Sequence, residues 1–520
     1  MNVIISSITT MLYCISMFIG KAIPGACINS RNDVNNLIIE SRYDTTQSPQ
    51  PVIPGDFADP SIIRVGNTYY ATGTSSEWAP HYPLFKSNDL IHWKQSGYIF
   101  TKTPAWASSS FWAPELFFRN GTYYVYYTAR KKADGISCIG VATSKDPAKG
   151  FTDHGPVVAF GKEAIDAFVI EDHGKRYITF KAYGLDNRPI ELLGYRLSDD
   201  GLKTEGESFM LLRDEKKAGL EGQCIVKRNN YYYLFYSAGN CCGSKCSYHV
   251  NVARATSLKG PYTEYENNPV LAGYDDWKCT GHGTIVKTPK GEDFYLYHAY
   301  NKMNDVYTGR QGMLGKLKWN EKTGWPSLQP VSGEKAAGLH DDFSGNTLND
   351  YWQWDFRHST PAIKIEKGLL YLNGNTTTDN KAGTALTVRP CSSNFEISTA
   401  IMNSNASLKG LTVYGDASQA AGIGIKNNTI QVWFVKDNVR TVLKEIETTN
   451  TTPLYFKMKV EDGYKFKFYW SNTTDNFNEI ATGDHYFKAD FLPLWDRSPR
   501  PGLLQQGAEP GAFDFFEVKY

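Results

Sequence analysis

Three acidic side chains, Asp59, Asp166 and Glu221, occupy corresponding places in a repeat that runs through the N-terminal part of this sequence. Carboxyl groups brought together can divide the tasks of general acid–base catalysis, because repulsion between like charges raises the pKa of one group while another stays ionised. Cleavage of a glycosidic bond needs such a pair. One group protonates the leaving oxygen, and the other acts at the opposite side of the sugar.

Five aromatic strands at a nearly constant spacing are the elements that would position these carboxylates. They are marked by Tyr69, Tyr123, Tyr177, Tyr232 and Phe294, at steps of 54, 54, 55 and 62 residues. A period of this size is typical of a radial array of small sheets, so the sequence predicts a five-bladed β-propeller over residues 53–330. The polar loop before each strand then converges on the propeller axis. Those loops contain Asp59-Pro60, Trp112-Ala113-Pro114, Asp166-Ala167, Glu221-Gly222 and His282-Gly283.

The period is lost beyond the repeat, but alternating strands continue, for example at residues 430–433 (IQVW) and 466–469 (FKFY). We interpret residues 331–340 as a linker and residues 341–520 as a concanavalin-like β-sandwich. The predicted fold class is therefore all-β, a propeller followed by a sandwich. The second domain either binds carbohydrate or buttresses the first, and we favour buttressing.

The N-terminus predicts export. An apolar run at residues 3–19, followed by Lys21 and Ala22, is typical of a secretory signal, although no basic residue precedes it. We expect a signal peptide at residues 1–26 and a lead-in at residues 27–52, with a periplasmic location in a Gram-negative bacterium and secretion otherwise. Cys27 keeps lipoprotein anchoring as a less favoured alternative. The apolar run is short and no second one follows, so we expect no stable membrane span.

Charge and cysteine content exclude some classes of partner. A net charge of +1 and a pI near 7.5 give no electrostatic case for nucleic acid or an anionic membrane. Cys241, Cys242 and Cys246 form a dense cluster without the paired spacings of a zinc site. In an exported protein they favour a disulfide that pins the loop after the fourth blade, with the pairing left open. Cys224, beside Glu221, is predicted to be a small buried residue and not a nucleophile.

The polar segments resemble, in order and spacing, the motifs of glycoside hydrolase family 43. The matching residues are 56–62 (DFADPSI), 111–115 (FWAPE), 165–167 (IDA), 220–222 (LEG) and 281–283 (GHG). The resemblance implies an inverting mechanism on a five-bladed propeller, with Asp59 as general base and Glu221 as general acid. Asp166 would raise the pKa of Glu221 and orient it. Ala167 and Gly222-Gln223 depart from the common pattern, which bears on substrate preference and leaves the carboxylates untouched.

The same resemblance implies two further site residues. His282 matches an axial histidine often associated with a water-ligated calcium ion, and a hydrogen bond within the core is the alternative. A structural calcium is thus an option, and no cofactor is required. Arg310 matches an arginine that contacts the sugar. Trp112 and Trp78 lie on the same rim as Asp59, where an aromatic face can stack on a sugar ring, with propeller core as the alternative.

The resulting expectation is an exo-acting enzyme that releases terminal α-L-arabinofuranose from plant cell-wall polysaccharides or oligosaccharides. The C-terminal segment resembles the sandwich appended to many β-xylosidases and arabinofuranosidases, where it can lend a loop to the pocket mouth and favour exo action. A β-D-xylosidase is the nearest alternative, and an exo-galactosidase follows. A non-catalytic carbohydrate-binding protein is the alternative from another class. The presence of all three carboxylates argues against it.

Overall fold

The computed structural model describes residues 48–303, 305–449, 452–483 and 485–520. The predicted signal peptide and residues 27–47 of the predicted lead-in lie outside these ranges. Regular structure in the described ranges is almost entirely β, and the helical elements there are the 3-10 segment Pro147–Lys149 and the α-helical turn Asp305–Thr308. Neither of these two elements has the length and apolarity needed to span a membrane. The prediction of an all-β chain is confirmed.

Five antiparallel sheets of four strands follow one another along the chain, each with its strands in sequence order. The first strands of neighbouring blades contact one another, and that of blade five contacts that of blade one, so the sheets close into a ring. The predicted five-bladed propeller is confirmed. The strands of blades one and two are Ser61–Val65, Thr68–Thr72, His81–Ser87 and Lys94–Phe100, then Ala107–Arg119, Thr122–Lys131, Ser137–Ser144 and Thr152–Val158. Those of blades three and four are Ala164–Asp172, Lys175–Ala182, Glu191–Leu197 and Thr204–Arg213, then Glu221–Arg228, Tyr231–Ala238, His249–Ala255 and Thr263–Glu264. Those of blade five are Trp277–Lys287, Asp293–Asn301, Gln311–Trp319 and Pro326–Val331.

The polar segments of the repeat share one backbone device. Asp59, Ala113, Asp166, Gly222 and His282 all have positive φ, between 37° and 59°. In blades two to five the register of the first strand shifts at this point, which marks a β-bulge. The prediction of loops before the strands is therefore correct in blade one and wrong in the other four. A bulge bends the strand and re-aims a side chain, which here directs it to the propeller axis.

The C-terminal residues form a sandwich of two antiparallel sheets, as predicted. Alternating strand residues such as Ile397, Leu411, Val432 and Phe468 are buried in one common core between them. In order, the larger sheet contains Ser359–Glu366, Leu369–Thr376, Gly511–Lys519, Phe395–Ile401, Leu454–Glu461, Lys465–Ser471 and Asn478–Ile480, with Leu339–Asp341 and Phe487–Lys488 paired on its strands. The smaller sheet contains Thr384–Thr387, Arg500–Gln506, Leu408–Asp416, Gln419–Lys426, Thr429–Lys436 and Val439–Glu447.

Propeller and sandwich pack together as one unit. The short strand Trp354–Asp355 of the C-terminal part pairs with Trp78–Ala79, which lies between the second and third strands of blade one. The guanidinium of Arg500 lies 4.2 Å from the centroid of the Trp78 ring. Gln353 Nε2 donates to the carbonyl of Pro80 at 2.8 Å. These contacts hold the sandwich against the rim of blade one.

Candidate active site

Four of the residues singled out by the repeat meet at the propeller axis. Nδ1 of His282 lies 3.4 Å from Oδ1 of Asp59 and 3.8 Å from Oδ2 of Asp166. The backbone N–H of Gly222, the residue after Glu221, donates to Oδ2 of Asp166 at 3.1 Å. The bulges of blades three, four and five thus converge with Asp59 of blade one, and carboxylates far apart in sequence share one site.

Asp59 is held as an ionised carboxylate. Thr74 Oγ1 donates to its Oδ2 at 2.6 Å, and Arg310 Nη1 donates to its Oδ1 at 3.0 Å. Burial opposes ionisation, but the charges of Arg310 and His282 and the Thr74 hydrogen bond outweigh it and hold the pKa of Asp59 well below its usual range. A carboxylate in this state at neutral pH can accept a proton from water.

The side chain of Arg310 contacts Asp59 and helps to orient it. Its side chain is buried, and besides Asp59 it donates from Nη2 to the backbone carbonyl of Asp496, in the sandwich, at 3.3 Å. Its backbone N–H donates to Oδ1 of Asp56 at 3.1 Å. The family resemblance implied contact with a sugar, whereas the contacts made here orient Asp59.

Lys181 decides where the proton of the Asp166–Glu221 pair sits. Lys181 Nζ donates to Oε2 of Glu221 at 2.6 Å, and Tyr248 donates its hydroxyl proton to Oε1 at 2.9 Å. Burial would raise the pKa of Glu221, but the Lys181 charge lowers it. Burial and the negative charge of Glu221 raise the pKa of Asp166 to about 6. The resemblance assigned the raised pKa to Glu221, and the structure gives it to Asp166 because the lysine ion pair falls on Glu221.

His298 is a further buried residue of the site. Its Nδ1 accepts the backbone N–H of Asp59 at 3.0 Å, so a neutral ring carries its proton on Nε2. The side chain is 0% exposed, and burial lowers its pKa well below the usual value. Its ring stacks on Tyr248, with centroids 5.7 Å apart.

Lys181, Tyr248 and His298 were missed from sequence, although a signal existed for two of them. Lys181 and His298 interrupt otherwise apolar or aromatic strands, at residues 177–182 (YITFKA) and 294–300 (FYLYHAY). A charged or titratable residue inside a buried strand is uncommon and needs a partner. Tyr248 carried no such mark, because tyrosine is frequent throughout this chain.

Two glycines leave room for these side chains. A Cβ on Gly222 would lie 2.7 Å from Cγ of His282, and one on Gly281 would lie 2.3 Å from Cδ1 of Tyr248. Both approaches are closer than carbon atoms tolerate, and Gly222 also has positive φ. The Glu221-Gly222 and Gly281-His282 motifs are therefore needed to pack the histidine and the tyrosine beside the carboxylates.

The two tryptophans predicted to bind sugar differ in their burial. Trp112 is half-buried. Its neighbour Ala113 donates its N–H to Thr74 Oγ1 at 2.8 Å, and Thr74 in turn donates to Asp59. Its ring lies 6.2 Å from that of Trp495, which is 60% exposed. Trp78 is 1% exposed and packs in a cluster with Tyr414 and Trp433 of the sandwich. The prediction that Trp78 binds sugar is wrong, because the sandwich covers it.

The orientation of His282 is compatible with the predicted calcium site. Nδ1 of His282 faces Asp59 and Asp166, so Nε2 is the ring nitrogen left to bind an ion, as in many metal-ligating histidines. In the ranges that the structure describes, no group of three or more His, Cys, Asp or Glu is placed to hold a metal ion directly.

Two disulfides shape the loop beside Tyr248. Cys246 is bonded to Cys279, at the start of blade five, and Cys241 is bonded to its neighbour Cys242. The expected disulfide is present, but its loop joins the second and third strands of blade four and does not follow the blade. Cys224 is buried and carries a free thiol, as predicted.

Comparison with known proteins places both parts of the chain. The family model described as "Glycosyl hydrolases family 43" matches residues 48–326, and "Beta xylosidase C-terminal Concanavalin A-like domain" matches residues 340–492. The extracellular exo-alpha-(1->5)-L-arabinofuranosidase ArbA of Cellvibrio japonicus is 29% identical, over 52% of this chain and 86% of its own length. The xylan 1,3-beta-xylosidase of a Vibrio species is 27% identical, over 62% of this chain and 60% of its own length.

One relative and one solved structure extend over nearly the whole chain. The non-reducing end alpha-L-arabinofuranosidase BoGH43B of Bacteroides ovatus is 25% identical over 90% of this chain and 94% of its own length. The crystal structure of the GH43 protein BlXynB from Bacillus licheniformis has a TM-score of 0.78 at 22% identity, and covers 91% of this chain and 99% of its own. The match to the BlXynB structure shows that the propeller and the sandwich occur together as one fold.

Proposed function

The chain belongs to glycosyl hydrolase family 43, and from that premise we propose that it is an exo-acting, inverting enzyme that releases terminal α-L-arabinofuranose from plant cell-wall polysaccharides or oligosaccharides. Its named relatives include both arabinofuranosidases and xylosidases. The relative that extends over 90% of this chain, sandwich included, is named for release of arabinofuranose from the non-reducing end. The observation that carries the proposal is the ionised Asp59 placed in one cluster with the Asp166–Glu221 pair.

In the proposed mechanism Asp59 is the general base. Thr74 and Arg310 fix its two oxygens, and its low pKa keeps it ionised. It removes a proton from a water molecule that attacks the anomeric carbon from the face opposite the leaving group, which inverts the configuration. His282 would hold a calcium ion, which would supply positive charge beside the carboxylates, and no step depends on it.

Glu221 is the proposed general acid. In the free enzyme the Lys181 ion pair keeps Glu221 ionised, and Asp166, whose pKa is raised, is the member of the pair that favours the proton. Nζ of Lys181 is also 4.0 Å from Oε1 of Glu163, a second buried carboxylate. We propose that a substrate hydroxyl takes over Lys181 when the sugar binds. Glu221 then gains the proton, because its neutral form is favoured by burial once the lysine has left.

Sandwich residues that contact the site support exo action. Asp496 accepts from Arg310, and the ring of the neighbouring Trp495 lies 6.2 Å from that of Trp112. We propose that Trp495 blocks a glycan chain that would extend past the released sugar. Trp495→Ala is expected to raise the KM for an oligosaccharide about tenfold, the range for losing one apolar sugar contact. Digestion of an oligosaccharide labelled at its reducing end should give only single sugars as unlabelled products, and larger unlabelled fragments would refute exo action.

A β-D-xylosidase is the second candidate function. It is favoured by the Vibrio relative, which is named a xylosidase, and by the C-terminal match to a domain described from a β-xylosidase. The two pentoses present similar hydroxyls, so one contact in the pocket can separate them.

Export also remains our proposal. The ArbA relative is named as extracellular, and plant cell-wall glycans are substrates found outside cells. The segment that would direct export, residues 1–26, lies outside the described residues. N-terminal sequencing of the mature protein tests the proposed cleavage, and an intact Met1 in the exported protein would contradict it.

The test compares wild type with Glu221→Gln on 4-nitrophenyl α-L-arabinofuranoside, 4-nitrophenyl β-D-xyloside and an arabinose-bearing oligosaccharide. Wild type is expected to prefer the arabinofuranoside. Glu221→Gln should lose about 10²–10⁴-fold in kcat on the oligosaccharide, the usual contribution of a general acid. It should lose far less on the nitrophenyl glycoside, because nitrophenolate leaves without a proton.

Glu163→Gln is the matched control, since it makes the same carboxylate-to-amide change beside the same lysine. Its losses should not depend on the leaving group. A preference for the xyloside would support the second candidate. Absence of turnover on every glycoside tested would refute catalysis and favour a carbohydrate-binding protein.

A further inference from the structure

The loop at residues 239–247, which we call the vicinal-disulfide loop, borders the site on the side of Glu221. It joins the second and third strands of blade four, and Glu221 begins the first strand of that blade. Tyr248 follows the loop directly and donates its hydroxyl proton to Glu221. Cys241 packs on the cluster formed by Tyr248, Cys279 and Tyr300. The bonded pair Cys241–Cys242 thus borders the cluster that contains the tyrosine holding the proposed acid.

The loop also contacts Trp495 of the sandwich. A Cβ on Gly243 would lie 3.8 Å from the carbonyl oxygen of Trp495, and the N–H of Gly243 donates to the Tyr300 hydroxyl at 3.3 Å. Cys241 and Cys242 are both half-buried. The loop therefore contacts both the cluster that contains Tyr248 and the backbone of Trp495, and part of the surface of its disulfide is open to solvent.

Several bonds hold the loop in one conformation before any ligand arrives. Ser247 donates from its backbone N–H to the carbonyl of Asn240 at 3.0 Å, which ties the two ends together. The Cys246–Cys279 disulfide anchors the loop to blade five. Lys278 Nζ donates to the carbonyl of Ser244 at 3.3 Å. A surface fixed in this way loses little entropy when a ligand packs against it.

The chemistry of a bond between adjacent cysteines suits one kind of ligand. The bond closes a small ring through the intervening peptide, and its two sulfur atoms are apolar and polarizable. The C–H face of a sugar ring packs on such a surface. The sugar that leaves must place its oxygen within hydrogen-bond reach of Glu221, and so beside Tyr248.

We propose that the Cys241–Cys242 disulfide is a platform for the sugar ring of the leaving group, with Trp495 on its other side. The proposal rests on the function proposed above, because it takes the leaving side from the role of Glu221. It adds a binding element for the second sugar of the substrate, outside the position of the sugar that is released. Substrates with a sugar leaving group should gain from the platform, whereas the released monosaccharide should not.

The experiment measures Cys241→Ala/Cys242→Ala against wild type on an oligosaccharide that wild type cleaves. We expect kcat/KM to fall about tenfold, the range for losing one apolar contact with a sugar. The inhibition constant of the released monosaccharide should stay within twofold of the wild-type value. Cys391→Ala is the matched control, since it removes a half-buried free thiol of the sandwich, and should leave both quantities unchanged.

Each other outcome overturns the platform. An unchanged kcat/KM on the oligosaccharide shows that no ring packs there, and a parallel loss of monosaccharide binding shows that the pair only supports the loop. Absence of any cleavage by wild type overturns the proposed function, and the platform with it. A crystal of Glu221→Gln soaked with the oligosaccharide tests the proposal without changing a cysteine. Its second sugar ring should lie within about 4 Å of the two sulfur atoms, and a ring placed elsewhere refutes the proposal.

Discussion

Removal of the Cys246–Cys279 disulfide should destabilise the protein by an amount that follows from the loop it closes. The two cysteines are 33 residues apart in sequence. In the chain-entropy description, a cross-link over a loop of that length removes about 12.5 cal/mol/K from the unfolded chain, or about 3.7 kcal/mol at 25 °C. We therefore expect Cys246→Ala/Cys279→Ala to lose about 3–4 kcal/mol of unfolding free energy.

Thermal unfolding followed by circular dichroism measures this loss. With an unfolding entropy of about 2.1 cal/mol/K per residue, Tm should fall by about 4 °C if propeller and sandwich unfold together, and by about 6 °C if the propeller unfolds alone. Cys391→Ala, which removes a thiol without breaking a bond, is the control. A fall no larger than that of the control would refute the reasoning, since the loop would then be held by its hydrogen bonds alone.

The other predictions concern protons. Lys181→Met removes the charge that lowers the pKa of Glu221. The basic limb of the pH profile of kcat/KM, where the acid loses its proton, should therefore move to higher pH. A basic limb at the wild-type pH would exclude Lys181 from this role. Arg310→Met should raise the pKa of Asp59 and move the acidic limb to higher pH, and a shift to lower pH would contradict the assignment of Asp59 as base. Burial raises the pKa of Glu115 to about 8, so its native state keeps a proton that the unfolded chain has released, and this contribution to stability is lost as pH rises from the ordinary glutamate range to about 8. Glu115→Gln should therefore gain stability relative to wild type between pH 5 and pH 8 in urea unfolding, and an equal difference at both values would show that Glu115 is ionised when folded.

Much of the fold and the carboxylate cluster could be predicted because both are encoded in the phase of one repeat. Asp59 and Asp166 occupy the same place in their blades, so the blade that positions one predicts the position of the other. The position of Trp78 is not determined by the repeat, so its burial could not be predicted in this way. Its segment resembles a rim loop in sequence, and only the pairing with Trp354–Asp355, far along the chain, buries it. Contacts between domains of this kind leave no local pattern.

Lys181 shows a second limit, since its sequence position marks it as unusual without saying what it does. The lysine could have been predicted to need a buried partner, but three carboxylates were candidates: Glu163, Asp166 and Glu221. The choice depends on the distances in the folded chain, here 2.6 Å to Glu221 and 4.0 Å to Glu163. The partner of Lys181 sets which carboxyl group of the pair has the higher pKa. The sequence therefore predicts that Asp166 and Glu221 act as a pair, but it does not predict which of the two is ionised.

The positions with positive φ in the five blades carry different side chains, and this difference makes the chemistry asymmetric. Asp59, Asp166 and His282 each occupy the position with positive φ in their blades, so three titratable groups are aimed at the axis by the same device. In blade four that position is Gly222, and a side chain there would collide with His282. The carboxylate of this blade is displaced by one residue to Glu221, away from the crowded axis and towards Lys181 and Tyr248. Asp59 is thus fixed by Thr74 and Arg310, whereas Glu221 contacts Lys181, a partner whose movement can change the charge of the acid.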